Sequence, residues 1–248
     1  MKLDFHIHTD ASPCSNMSLE SAVKTSIKQG LQGFAVCNHN LPFTLSNKDE
    51  LEKKFNITIN PTTPVESPFY IISGIELSVN KSHILGLFLT GADNISSPEE
   101  ILSNGGVIAL AHPFQHSKNY EERLKELKFS LNFSPLVECA SGRANYKNKR
   151  ASDQARDFAL AFNLKTCGGS DAHFPEEIGN AYIEMSDVVG IDAIKNELLS
   201  GRVQLYSKNA KRRFIAKSQI IKHGCRPKTI LFYIYSLVRD FGDIICQK

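Results

Sequence analysis

The sequence predicts an α/β fold, and within that class a single β/α barrel. Three observations predict it. Short apolar, strand-like runs alternate with helix-like segments along most of the chain. The polar residues able to do chemistry fall mostly where strands end, which is where barrels gather their functional groups at one mouth. And 248 residues, 42% of them apolar, suffice for one large domain with a proper core.

Taken in order, Leu3–Ile7 reads as the first strand, followed by a helix over Leu19–Gln29 with Ser18 as N-cap and Gly30 as its stop. Gly33–Cys37 is the second strand and delivers His39. Pro42, Pro61, Pro64 and Pro68 make residues 41–68 a long loop with one short helix around Lys48–Lys54. Phe69–Ile72 leads into Gly74-Ile75-Glu76. Ile75–Val79 and His83–Leu89 then flank Asn80-Lys81 as a two-residue hairpin turn. That register sets His83 opposite Ser78, on the face that carries Glu76. Ser97-Pro98-Glu99-Glu100 starts a helix that Gly105-Gly106 ends. The strand Val107–Leu110 closes on Ala111-His112-Pro113. A helix over 119–128, a strand Pro135–Cys139 and a helix over 151–162 follow. Leu164–Cys167 runs into Gly168-Gly169-Ser170-Asp171-Ala172-His173, and Ile191–Ser200 is a further helix stopped by Gly201.

A doubly wound open sheet has the same rhythm. It would carry a glycine-rich phosphate loop after the first strand, and here His6-Ile7-His8 takes that place. The barrel is therefore preferred. Met1-Lys2-Leu3 runs straight into the first strand without a signal sequence, and no apolar run reaches the ~18–20 residues of a membrane span. The six cysteines form no Cys-x-x-Cys pair, and most sit in strand-like runs as small apolar side chains. The expectation is a reduced, cytoplasmic protein. The net charge of +3 hides an asymmetry: residues 201–248 hold eleven Lys/Arg against two Asp/Glu, so the first 200 residues carry −6 and the tail +9. An acidic body suits a site for cations, and a basic tail suits an anionic partner, although a solvated face gives the same count.

A lone His-x-His is weak evidence, since two strand histidines can simply be hydrogen-bonded in a core. Here Asn38-His39-Asn40, Glu76, His83, His112 and Asp171-Ala172-His173 accompany it, each on or after a strand-like run. Imidazoles and carboxylates without an obligatory thiolate suit Zn, Mn or Fe. One ion needs three or four such groups, so the set asks for two or three divalent ions.

The ordered series His6-Ile7-His8, Asn38-His39-Asn40, Gly74-Ile75-Glu76, His83-Ile84-Leu85-Gly86, Ala111-His112-Pro113 and Gly169-Ser170-Asp171-Ala172-His173 resembles the PHP (polymerase and histidinol phosphatase) family across roughly residues 1–205. The resemblance implies a distorted seven-stranded β/α, TIM-like barrel and a trinuclear metal centre that hydrolyses phosphoesters. By the same resemblance His6, His8, Glu76 and Asp171 hold the first ion, Glu76, His83 and His112 the second, and His39 and His173 the third. Glu76 and Asp171 are the carboxylates expected to matter most for catalysis. Two positions depart from the family pattern. Asn38 stands where an Asp is usual, and Cys14 or the nearby Asp10 stands in for a third-site His or Asp.

Arg143, after the sixth strand, is the candidate phosphate clamp, with a surface arginine in the basic run Lys147–Arg150 as the plain alternative. Glu138 is expected to orient a ligand, and His116 and His223 receive no role. The expected function is a metal-dependent phosphoesterase acting on a small phosphorylated metabolite or nucleotide. Alternatives are an exonuclease on oligonucleotides, an amidohydrolase-type C–N hydrolase, and a binding module that lost activity. The division expected is 1–205 for the metal-binding domain and 206–248 for a basic, partly amphipathic helical extension. In the extension Ile230, Ile234, Leu237, Phe241 and Ile244 form one helical stripe. Packing on the barrel is the first expectation for that stripe, ahead of pairing with a second subunit in a homo-oligomer or lying on an anionic membrane.

Overall fold

A computed structural model of the chain describes residues 1–79, 82–91, 94–116 and 135–245, with side chains to 241. The expected turn at Asn80-Lys81, the helix over 119–128, Cys246 and the side chain of Ile244 lie outside the described residues. The strands are β1 (Lys2–Ile7), β2 (Gly33–Val36), β3 (Thr58–Ile59), β4 (Pro68–Val79), β5 (Ser82–Leu87), β6 (Val107–Ala111), β7 (Leu136–Ser141), β8 (Thr166–Gly169), β9 (Ala181–Glu184) and β10 (Gln204–Ser207). The helices are α1 (Leu19–Lys28), α2 (Lys48–Phe55), α3 (Pro98–Ser103), α4 (Ala151–Ala161), α5 (Ile191–Ser200), α6 (Arg212–His223) and α7 (Pro227–Ile245).

The strands form one sheet in the order β10-β9-β1-β2-β4-β5-β6-β7-β8, with β3 paired to β4. The sheet curls into a nearly closed barrel. At its mouth β8 returns to β1, where His8 N–H donates to Ala172 O at 2.8 Å and Asp171 N–H to His6 O at 2.8 Å. At the other end β9 pairs antiparallel with β1 through Leu3 and Ile183. Ten strands among the described residues replace the seven expected. The additional short strands β3, β9 and β10 come from segments whose two to four residues are too few to show a period of their own.

Alternation along each strand sorts the core into an interior and two outer layers. Leu3, Phe5, Ala35, Tyr70, Ile72, Leu85, Leu87, Ala109 and Ile183 share the cluster that fills the barrel. Ile7, Phe34, Val36 and Ile71 pack instead with Ala22 and Val23 of α1. Ile75, Ile84, Ile108 and Val137 pack with Ile101 of α3 and Phe158 of α4. Even-numbered β4 positions thus face inward, so Glu76 continues the inner row of Tyr70 and Ile72 toward the mouth. β5 runs antiparallel to β4 with Ser78 opposite His83, so this strand delivers its histidine from its beginning.

β1 breaks the simple alternation. Phe5 joins the inner cluster and Ile7 an outer one, and its register against β2 shifts between Asp4 and Ile7. Such a bulge re-aims side chains. Gly169 answers it from β8, since a Cβ there would come within 2.4 Å of the His6 backbone nitrogen and Cβ.

The helical tail corrects one expectation. Ile230, Ile234 and Phe241 of the predicted stripe are exposed. α7 docks through the adjoining face instead: Phe232 meets the Tyr146 ring edge-on at 5.9 Å, and Asp240 accepts the backbone N–H groups of Arg212 and Arg213 at the start of α6. Most of α7 is apolar, so periodicity alone left the choice of face to these contacts.

Candidate metal centre

Six imidazoles converge on two carboxylates at the barrel mouth. Glu76 Oε1 lies 2.9 Å from His83 Nδ1 and 3.2 Å from His112 Nε2. Its Oε2 lies 2.8 Å from His39 Nδ1, 3.5 Å from His8 Nε2 and 3.8 Å from His6 Nε2. Asp171 Oδ1 is 3.2 Å from His8 Nε2, 3.7 Å from His6 Nε2 and 3.6 Å from His173 Nδ1. Three overlapping groups bring their ligand atoms within 4.8 Å of one another: His6, His8 and Asp171; His6, Glu76 and His112; His8, His39 and His173.

Hydrogen bonds around the cage decide which ring nitrogens face inward with a lone pair. His6 Nδ1 lies 3.0 Å from Glu138 Oε1, and a carboxylate accepts, so Nδ1 carries the proton. Glu138 Oε2 also accepts the His112 backbone N–H at 2.7 Å. Ser12 Oγ donates to Asn38 Oδ1 at 3.1 Å and stands 3.2 Å from His8 Nδ1, which therefore donates to it. His173 Nδ1 donates to the Asp171 carbonyl at 2.9 Å. His8 and His173 thus turn unprotonated Nε2 atoms inward, and His6 turns its Nε2 inward beside them, 3.1 Å from His8 Nε2. Two lone pairs at that distance repel unless a proton or a cation lies between them. Glu76 Oε2 is buried, its close neighbours being imidazole nitrogens, with His39 Nδ1 at 2.8 Å. A buried carboxylate oxygen facing closely paired imidazole nitrogens fits divalent cations, and the N/O donor set suits Zn, Mn or Fe.

The charges divide in the same sense. Burial pushes Glu76 and Asp171 toward neutrality, but the surrounding imidazoles hold both well below the usual carboxylate range. Burial lowers His8 to about 4 and, helped by the Arg143 charge, takes His173 well below its ordinary value. Burial acts the same way on His6 and is outweighed by Glu138, Asp171 and Glu76, so His6 stands well above it. His39 is raised to about 10 despite burial, through Cys14 and Glu76.

Backbone geometry at the rim is unusual. His112 and Asp171 have φ of +29° and +56°, a region costly for any residue with a Cβ. Asp4, beneath them, accepts the N–H groups of Ser170 at 2.7 Å, His6 at 3.2 Å and Gly179 at 3.3 Å.

The structure brings His6, His8, His39, Glu76, His83, His112, Asp171 and His173 into this cage. Cys14 is buried beside His39 and lines the cavity, whereas Asp10 is exposed. Asn38 reaches Thr9 and Ser12 and so acts on the His8 ring through Ser12. Arg143 lines the cavity, but its guanidinium is engaged by Glu177, Nε to Oε1 at 2.9 Å and Nη2 to Oε2 at 2.6 Å. Glu177 was not singled out in the sequence, and it also accepts the His173 backbone N–H at 3.0 Å. His116, given no role, lines the cavity too, while His223 ends α6 in the solvent.

The cavity above the cage has a volume of about 480 Å³. Its outer wall comes from the C-terminal helices: Ser218, Gln219 and Lys222 of α6, Lys228 and Phe232 of α7, facing Tyr146 and Lys147. Among the described residues no carboxylate pairs with Lys147, Lys222 or Lys228. These contacts are long-range in sequence, and the only local signal was the basic composition of the tail.

Barrel and cage together define a β/α metal-binding protein whose donors converge at the strand ends. The chain belongs to the PHP family. Residues 149–203 match the PHP-associated family model. The uncharacterized protein MJ0417 of Methanocaldococcus jannaschii is 30% identical over 201 residues, covering 76% of this chain and 72% of the relative. Solved structures also share the fold. One is a two-domain Bacteroides vulgatus protein containing a predicted PHP-like metal-dependent phosphoesterase, with a TM-score of 0.59 and 15% identity over 88% of this chain and 69% of that one. Another is an amidohydrolase from Chromobacterium violaceum with bound sulfate and no metal, with a TM-score of 0.53 and 16% identity over 82% of this chain and 97% of that one.

Proposed function

We propose that this chain is a metal-dependent phosphoesterase that hydrolyses a small phosphomonoester or a nucleotide, with His6, His8, His39, Glu76, His83, His112, Asp171 and His173 as ligands to two or three divalent ions. The observation that carries the reading is the inward convergence of the His6 and His8 Nε2 atoms, 3.1 Å apart, on the buried Glu76 Oε2. Divalent ions held there would supply Lewis acidity toward a phosphoryl oxygen and a water acidified to near neutral pH. The chain's own residues prepare the rest. Glu138 and Ser12 fix the His6 and His8 tautomers. Lys147, Lys222 and Lys228 make the mouth cationic, drawing an anionic ester toward the cage. Arg143 contributes positive charge while Glu177 fixes its position, so it acts less as a free clamp than as a fixed charge at the cavity wall.

A cavity of about 480 Å³ suits a metabolite or mononucleotide better than an oligonucleotide. The lysines that line the cavity, Lys147, Lys222 and Lys228, stand on no barrel strand, which weighs against an amidohydrolase centre bridged by a carboxylated lysine at a strand end. The test is a screen of phosphorylated metabolites, nucleotides and oligonucleotides with Mn, Zn, Fe and Mg each supplied, alongside metal content per chain. Inorganic phosphate released from a small ester supports the proposal. Full metal loading with no phosphate released from any of them overturns it.

A further inference from the structure

Among the described residues nothing packs on the outer face of α7. At ~100° per residue, Ile230, Leu231, Ile234, Tyr235, Val238 and Phe241 fall within an arc of about 140°. Leu231 is 69% exposed, Val238 65% and Phe241 63%. The helix is not loosely placed: on its other face Ser236 and Asp240 are buried and Phe232 packs on Tyr146. The apolar arc is therefore presented by a docked helix.

Charge indicates what covers it. Lys228 and Arg239 border one edge of the arc and Arg226 lies near the other. Between Glu197 and Asp240 the sequence has no acidic residue, and Asp240 itself is used to cap α6. A second copy seated on this face would bring one basic surface against another. A lipid surface carrying anionic headgroups would meet both the apolar arc and its basic border. No helix among the described residues is long and apolar enough to cross a membrane.

We propose that α7 is a peripheral membrane-docking helix that lies in the headgroup region of an anionic bilayer, its apolar arc inserted and its basic border on the phosphates. The same helix walls the catalytic cavity through Lys228 and Phe232. Docking therefore holds the cavity mouth close to the lipid surface.

The test is co-sedimentation of the full chain with phosphatidylcholine vesicles and with vesicles of phosphatidylcholine mixed with phosphatidylserine. The chain should pellet with the second and not the first. Leu231→Glu with Val238→Glu should reduce the pelleted fraction to the phosphatidylcholine background, and Arg226→Glu with Arg239→Glu should lower it several-fold. These side chains are exposed, so melting temperatures should be unchanged. Absence of pelleting with anionic vesicles overturns the proposal. So does a dimer in vesicle-free solution that the Leu231/Val238 pair of substitutions dissociates, since a second copy would then be the occupant.

Discussion

Arg143 and Glu177 form a two-bond guanidinium–carboxylate pair buried in the wall of the metal cage, and the same carboxylate holds the backbone of His173. Burial works against the Arg143 charge, and Glu177 more than restores it. Glu177→Ala would leave a buried guanidinium uncompensated, a loss on the order of 3–5 kcal/mol. Thermal melting should show a fall on the order of 10 °C. An unchanged melting temperature would mean that water enters to solvate Arg143.

Glu76 touches five imidazoles, so Glu76→Ala should remove most of the activity and lower metal content per chain while circular dichroism stays native. Asp171→Asn should do the same with a smaller metal loss, because an amide oxygen remains. Near-normal turnover by either variant in metal-replete buffer would remove these residues from the centre.

Metal affinity should fall as pH falls. His39 is held protonated up to about 10 in the ligand-free cage, so an ion bound there must displace that proton across the neutral range. Each displaced proton makes the apparent affinity change about tenfold per pH unit. Titration calorimetry in buffers of different ionisation enthalpy should record proton release, and His39→Ala should reduce it. A release unaffected by that substitution would place the proton elsewhere.

Cys14 is buried against His39. If its sulfur is a ligand, Cys14→Ser should weaken one ion and leave the others in place, which elemental analysis after graded chelation would show. Unchanged stoichiometry and activity would make Cys14 a packing residue.

Lys222 and Lys228 face the cavity without acidic partners among the described residues. Removing both to alanine should raise KM about five-fold with kcat nearly intact, as expected for two screened contacts of about 0.5 kcal/mol each. The variant's rate should also depend less on salt. A fall in kcat at constant KM would instead place these lysines at the reacting group.

What the sequence made legible was local or periodic. His6-Ile7-His8 marked the strand that supplies two rings, the β4–β5 pairing could be counted to Ser78 opposite His83, and Ser97 announced the start of α3 by accepting the Glu100 N–H. What it hid depends on distance or on backbone detail. The bulge in β1 leaves no trace in the order of residues. Glu177 lies 34 residues from Arg143, and Ser218, which accepts from the same guanidinium, lies 75 away. No periodicity joins such positions. The face by which α7 docks was equally hidden, because a helix apolar on most of its surface offers more than one stripe to choose from.

His112 and Asp171 both supply the cage while held at positive φ, where glycine would rest more easily. Each costs about 1–3 kcal/mol that the ligand-free fold must absorb. Selection for heat resistance alone would therefore favour glycine at these two positions and discard the cation site along the way. Any programme to harden this protein should screen for retained metal at every round, since the changes that most relax the rim are the ones that empty it.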